Sequence, residues 1–137
     1  MGFVDESIVV AADVQAAYSL WLDYEQYPRF MRSIDDVSVI GYCRLRWTGR
    51  VCDRSEVWEA DILEHVEDTR LRWQARDGRE TGEVTFEKWE AGTTRVRYQL
   101  EYDPAPWGVP EQALRACLRA RVGDDLQDFK ALIESLD

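Results

Sequence analysis

Residues 94–102 read Thr-Arg-Val-Arg-Tyr-Gln-Leu-Glu-Tyr. Successive side chains of a strand point to opposite faces. Val96, Tyr98, Leu100 and Tyr102 therefore share one face, and Arg95, Arg97, Gln99 and Glu101 the other. The stretch predicts a half-buried strand with a solvated outer side. Four earlier segments repeat the phase, and their apolar faces carry Trp47, Trp58, Trp73 and Phe86. One broad sheet with an aromatic inner surface follows, and something large must cover it.

Working outward, strands are predicted near residues 3–10, 36–42, 44–51, 55–64, 69–76, 81–89 and 93–102. Gly41, Asp53, Glu67-Asp68, Asp77-Gly78 and Ala91-Gly92 supply turn chemistry between them. Connections this short join antiparallel neighbours, since a parallel crossover needs a dozen residues or more. Outward positions are charged, among them Arg44, Arg46, Glu59, Asp61, Arg72 and Glu83, so opposite charges can pair across the solvated face. Asp13 suits the N-cap of a helix running to about Leu22, with Val14, Ala17, Tyr18, Trp21 and Leu22 as its stripe. Pro28 breaks the chain before a short second helix that carries Phe30 and Met31. Residues 103–108 read as an irregular connection. Pro110 suits a first helical turn, and Leu114, Leu118, Val122, Leu126, Phe129, Ile133 and Leu136 then mark one long amphipathic helix. Gly123 predicts a kink or break inside it. The order of strand, two short helices, six strands and a long helix is α+β.

Composition narrows the function. The chain is 137 residues long, 45% hydrophobic and contains six tryptophans, which predicts one folded domain spanning 1–137. A net charge of −10 argues against nucleic acid and against a polybasic membrane anchor. No apolar run reaches the roughly 20 residues of a membrane span. Cys43, Cys52 and Cys117 lack metal-ligand spacing and His65 is the sole histidine, so neither a metal nor a cofactor is expected. An odd cysteine count with no disulfide framework suits a reducing compartment, which predicts a cytoplasmic protein.

Several segments together carry a resemblance. They are Ser7-Ile-Val-Val10, Tyr27-Pro-Arg-Phe-Met31, Trp58-Glu-Ala-Asp-Ile62, Arg72-Trp73, Gly82-Glu-Val-Thr-Phe86, Thr94-Arg-Val96, and Gly123-Asp-Asp-Leu126 leading into Phe129-Lys130. In this order the chain resembles the polyketide cyclase/dehydrase and lipid-transport proteins of the START-like (SRPBCC, helix-grip) superfamily. It looks closest to the bacterial branch akin to coenzyme Q-binding proteins. The resemblance implies a curved seven-stranded antiparallel sheet wrapped around the C-terminal helix, with an apolar cavity between them. It implies a polyketide, quinone or lipid as ligand, and an acyl carrier protein as partner if the chain is a polyketide enzyme. The expected function is binding of a bulky hydrophobic molecule as a polyketide aromatase/cyclase. A non-catalytic lipid or quinone carrier and a protein-interaction module of the same fold are the alternatives.

The predicted cavity lining is Trp21, Phe30, Met31, Trp47, Trp58, Trp73, Phe86, Tyr98, Leu100, Tyr102, Leu118 and Val122. Each reads equally as plain core. Tyr98 and Tyr102 are inward phenols able to donate to a developing enolate or to satisfy backbone. Arg29 reads as a guard at the pocket mouth or as a solvated side chain. Arg115, Arg119 and Arg121 share that ambiguity on the long helix. His65 reads as a strand-end residue or a general base. No nucleophile motif, phosphate loop or dinucleotide fingerprint is present, so an enzyme here would work by positioning a reactive substrate.

Overall fold

The computed structural model describes residues 1–136; Asp137, the last residue of the predicted domain, lies outside the described residues. The strands are β1 (Gly2–Val10), β2 (Ile34–Gly41), β3 (Arg44–Val51), β4 (Arg54–Val66), β5 (Arg70–Ala75), β6 (Glu80–Lys88) and β7 (Thr94–Tyr102). They form one antiparallel sheet in the order β1-β7-β6-β5-β4-β3-β2. Six of the seven are sequential hairpin neighbours, and β1 closes the far side against β7 in unbroken register from Gly2↔Tyr102 to Val10↔Thr94. The register shifts at Ile62/Glu64 and in β2 interrupt the ladder, and such interruptions bend strands and strengthen twist.

Between β1 and β2 run α1 (Val14–Leu22), a 3-10 turn (Tyr24–Gln26) and α2 (Tyr27–Phe30). The Asp13 carboxylate accepts from the Ala16 N–H at 2.8 Å, the predicted N-cap. α4 (Glu111–Ser135) crosses the concave face, and its 25 residues span roughly 37 Å. It is continuous through Gly123, so the expected break does not occur there. Its neighbours hold it in place: Leu114, Leu118, Val122, Leu126, Phe129 and Ile133 are all buried. The predicted irregular connection contains a helical turn, α3 (Pro104–Trp107). Asp103 caps it and left-handed Gly108 ends it. Its Trp107 is buried and donates its indole N–H to the Arg79 carbonyl.

Every strand residue predicted to face inward is buried, from Leu45 and Trp47 to Leu100 and Tyr102. Trp47 and Trp58 are register partners on β3 and β4, and their rings stack at 5.9 Å. Trp21 of α1 meets Phe129 of α4 at 4.7 Å and Tyr98 of β7 at 5.7 Å. Aromatic side chains thus fill much of the space between sheet and helix. The outer face is laced with the expected pairs, such as Arg44–Asp61 at 2.9 Å and Arg46–Glu59 at 3.5 Å. Each is exposed enough to contribute little.

Gly82 exists for Trp73. The two are register partners, and a Cβ on Gly82 would lie 2.2 Å from the Trp73 ring. That ring is held against Trp47 and Tyr98. Gly82→Ala is therefore expected to destabilise by about 1–3 kcal/mol through overpacking. A lower urea midpoint at unchanged m-value would register it; an unchanged midpoint would mean that the ring yields freely.

The cysteines correct one expectation. Cys52 and Cys117 form a disulfide across 65 residues, and Cys43 is free. An odd cysteine count suggests no disulfide framework and a reducing compartment, yet two of the three cysteines are joined. This bridge depends on tertiary proximity: it ties the β3–β4 turn to α4.

A buried polar cluster at the mouth of the grip

Three segments converge at one end of the sheet–helix interface: the α2–β2 connection, the β3–β4 hairpin and the middle of α4. Gly49 lets the first two touch, since a Cβ there would sit 2.3 Å from the Ser33 carbonyl oxygen. The Arg50 N–H donates to that same carbonyl at 2.7 Å. Arg32 fastens the connection to α4 through two bonds to Asp128, at 2.9 and 3.0 Å. Between these segments opens a cavity of about 240 Å³, bounded by Ser33, Arg50, Cys52, Cys117, Arg121 and Asp125 among others.

Its inner wall is charged. Arg121 and Asp125 lie one helical turn apart on α4, inside the otherwise apolar stripe, and both are buried. Arg121 donates to Glu80 on β6 at 3.0 Å, and their side chains are 4% and 1% exposed. Two guanidiniums approach the Trp58 ring, Arg79 at 5.4 Å and Arg121 at 5.9 Å. Such contacts contribute about 0.5–2 kcal/mol each.

The cluster is under-satisfied. Among the described residues, Arg121 Nε and Nη2, Glu80 Oε2, both Asp125 carboxylate oxygens and the Tyr98 hydroxyl have no hydrogen-bond partner. Leaving one such group unpaired costs about 1–3 kcal/mol, so a molecule that pairs with them would bind favourably. Burial also sets their protonation. It pushes the Asp125 carboxyl up to about 8, against the opposing pull of Arg121. Burial raises the Tyr98 phenol well above its ordinary range, so it remains a donor. For Arg121 burial opposes the charge, but Glu80, Tyr98 and Asp125 more than restore it.

The predicted site residues divide. Tyr98 stands in the cluster. Tyr102 is buried but donates to Glu111 at 3.0 Å at the start of α4. Arg29 is exposed on α2 and bonded to Gln26, and it does not border this mouth. Arg115 and Arg119 are exposed, and His65 is exposed near the end of β4. The residues predicted as lining are all buried; Trp21, Phe30, Trp47 and Trp73 pack chiefly on one another and on neighbouring rings. Glu80 and Asp125 were not anticipated. Glu80 shares the inward phase of Gly82, Val84 and Phe86, and Asp125 falls four residues after Arg121 and four before Phe129. Those positions were the available signal.

A curved antiparallel sheet gripping a long C-terminal helix, with short helices after the first strand, defines the START-like helix-grip class. The chain belongs to the family described as polyketide cyclase/dehydrase and lipid transport, which it matches over residues 10–130. A START superfamily protein from Mycobacterium smegmatis superimposes with a TM-score of 0.86 at 16% identity, covering 98% of this chain and 99% of that one. The Zhui aromatase/cyclase from Streptomyces sp. R1128 does so with a TM-score of 0.81 at 14% identity, covering 97% and 93%. An uncharacterized 17.2 kDa protein of Streptomyces lincolnensis is 27% identical over 136 residues, 98% of this chain and 91% of that protein. Among the described residues no helix is long and apolar enough to cross a membrane.

Proposed function

We propose that the protein binds a bulky hydrophobic molecule with an oxygenated head at this mouth and acts on it as a polyketide aromatase/cyclase. The observation that carries the reading is the buried Arg121 with two unpaired guanidinium nitrogens, in one cluster with Asp125 and Tyr98. Ring closure of a poly-β-ketone needs an α-proton removed, an enolate held, and a proton delivered to the carbonyl oxygen that is attacked. Arg121 and the Tyr98 hydroxyl are donors suited to an enolate oxygen. A carboxyl that titrates near neutrality can take and return a proton. Loss of water from the resulting alcohol completes aromatisation without an oxidant.

An acyl carrier protein would deliver such a substrate, and the cytoplasm is the compartment of this reading. A carrier reading uses the same groups. A quinone carbonyl can accept from Arg121 and Tyr98 with no proton moved.

Binding of 2-hydroxy-1,4-naphthoquinone, followed by quenching of tryptophan fluorescence, tests the site. Tyr98→Phe removes a hydroxyl that has no protein partner, so stability should hold while affinity falls about tenfold. Unchanged affinity in that variant, or no binding by the parent protein, would remove the support for both readings. Asp125→Asn then separates them, since only an enzyme loses turnover of a poly-β-ketone thioester while retaining the head group.

A further inference from the structure

The Cys52–Cys117 bridge has an opening on each side. One is the mouth described above. The other, about 390 Å³, is bounded by Asp53, Val109, Ala113 and Leu114. Arg50, Cys52 and Cys117 border both. The bridge therefore stands between two compartments of one trough, which runs between the β3–β4 hairpin and α4. One compartment ends at the buried charges of Arg121 and Asp125. The other has Val109, Ala113 and Leu114 in its wall, beside Arg50 and Asp53.

The hairpin places Cys52 at this point by an unusual backbone. Cys52 (φ 54°) and Asp53 (φ 63°) both adopt the left-handed region that a two-residue hairpin turn requires. Asn and Gly adopt it with less cost than cysteine. The hairpin does not depend on the bridge for its form. β3 and β4 pair in unbroken register from Arg44↔Asp61 to Val51↔Arg54, and the Arg54 guanidinium donates to the Trp107 carbonyl. Both cysteines are only partly buried, within reach of an exchanging thiol.

We propose that the Cys52–Cys117 bridge is a redox-operated partition: reduction joins the two compartments into one elongated site for a long apolar molecule whose oxygenated head meets Arg121. The inference rests on the functional reading above and adds its regulation. The step is balanced by a dithiol. The S–S bond takes two electrons and two protons, two thiols form on Cys52 and Cys117, and the dithiol closes to a disulfide. In a reducing compartment the trough is open; under oxidation it is divided, and only the head-group compartment remains.

Two probes test this on the full chain: 2-hydroxy-1,4-naphthoquinone, and the same molecule with a decyl chain at carbon 3. The short probe should bind the oxidised and the reduced protein equally. The decyl probe should bind at least tenfold more tightly to protein reduced with excess phosphine, and to Cys52→Ser/Cys117→Ser. Equal affinity of the decyl probe in both redox states overturns the partition and leaves the functional reading standing. Absence of binding by the short probe in both states overturns the reading, and the partition with it. Circular dichroism accompanies each titration. If the double variant does not fold, the reduced parent protein decides; if that too loses its cooperative melt, the bridge is a structural staple and the proposal fails.

Discussion

Replacing Arg121 with methionine is expected to lower stability by about 3–5 kcal/mol, the effect of stranding a buried charge. Arg121 and Glu80 are nearly inaccessible and share one hydrogen bond of 3.0 Å. Each carries a desolvation penalty that their mutual attraction offsets. With Arg121 gone, the Glu80 carboxylate has no counter-charge, and Trp58 keeps only Arg79 over its face. The double variant Arg121→Met/Glu80→Met should behave differently. Both charges leave together and apolar groups of similar size replace them, which is often neutral or stabilising by about 1–4 kcal/mol. Urea unfolding of the two single variants and the double variant gives the coupling energy directly. Additive losses, with no recovery in the double variant, would mean that the two side chains do not interact as described. Recovery of stability without recovery of naphthoquinone binding would show that the pair is retained for its ligand, at the expense of a simpler apolar core.

Much of this architecture is written locally. The alternation at Val96–Tyr102 depends only on the pleat, and the same phase placed Trp47, Trp58 and Trp73 on the inner wall where they are buried. Asp13 as N-cap and the stripe from Leu114 to Ile133 are likewise local patterns. The polar cluster was harder to see because it violates the pattern that reveals the core. Asp and Arg are almost never fully buried unless paired, so Arg121 reads equally as a solvated side chain or as one reaching the pocket, and Asp125 carries no site signal of its own. Glu80 sits at the first residue of β6, where turn and strand chemistry overlap. The partner that explains Arg121 is 41 residues away in the chain, and the partner of Cys52 is 65 away. No local spacing encodes either. Tyr98 and Tyr102 look equivalent in sequence, since both are inward phenols on β7. Only the fold separates them, by bringing Glu111 to Tyr102 and leaving the Tyr98 hydroxyl unpaired.

Asp125→Asn is expected to make the protein more stable near and above neutral pH and to change it little at pH 4. The folded-state pKa, about 8, lies above the ordinary 3.8. Between these values the folded chain keeps a proton that the unfolded chain has released. Stability therefore falls as pH rises through the window, by at most about 1.4 kcal/mol per unit. Asparagine is close in shape to the protonated carboxyl and does not titrate. Parent and variant should differ little at pH 4, where the unfolded Asp125 is about half ionised and the folded carboxyl still holds its proton, a gap of about 0.5 kcal/mol. They should diverge steadily above it, the variant leading by about 2–4 kcal/mol near pH 8, and the gap should level off beyond. Urea midpoints at pH 4, 6 and 8 measure this, and parallel curves would mean that Asp125 is not held neutral by the fold. The direction matters for function. A fold that is weakened by keeping this carboxyl buried, on a helix that an asparagine would stabilise, holds a group that is useful in its protonated form. In an aromatase/cyclase that use is proton delivery to the attacked carbonyl, so the same substitution that strengthens the fold should abolish turnover while the head group still binds.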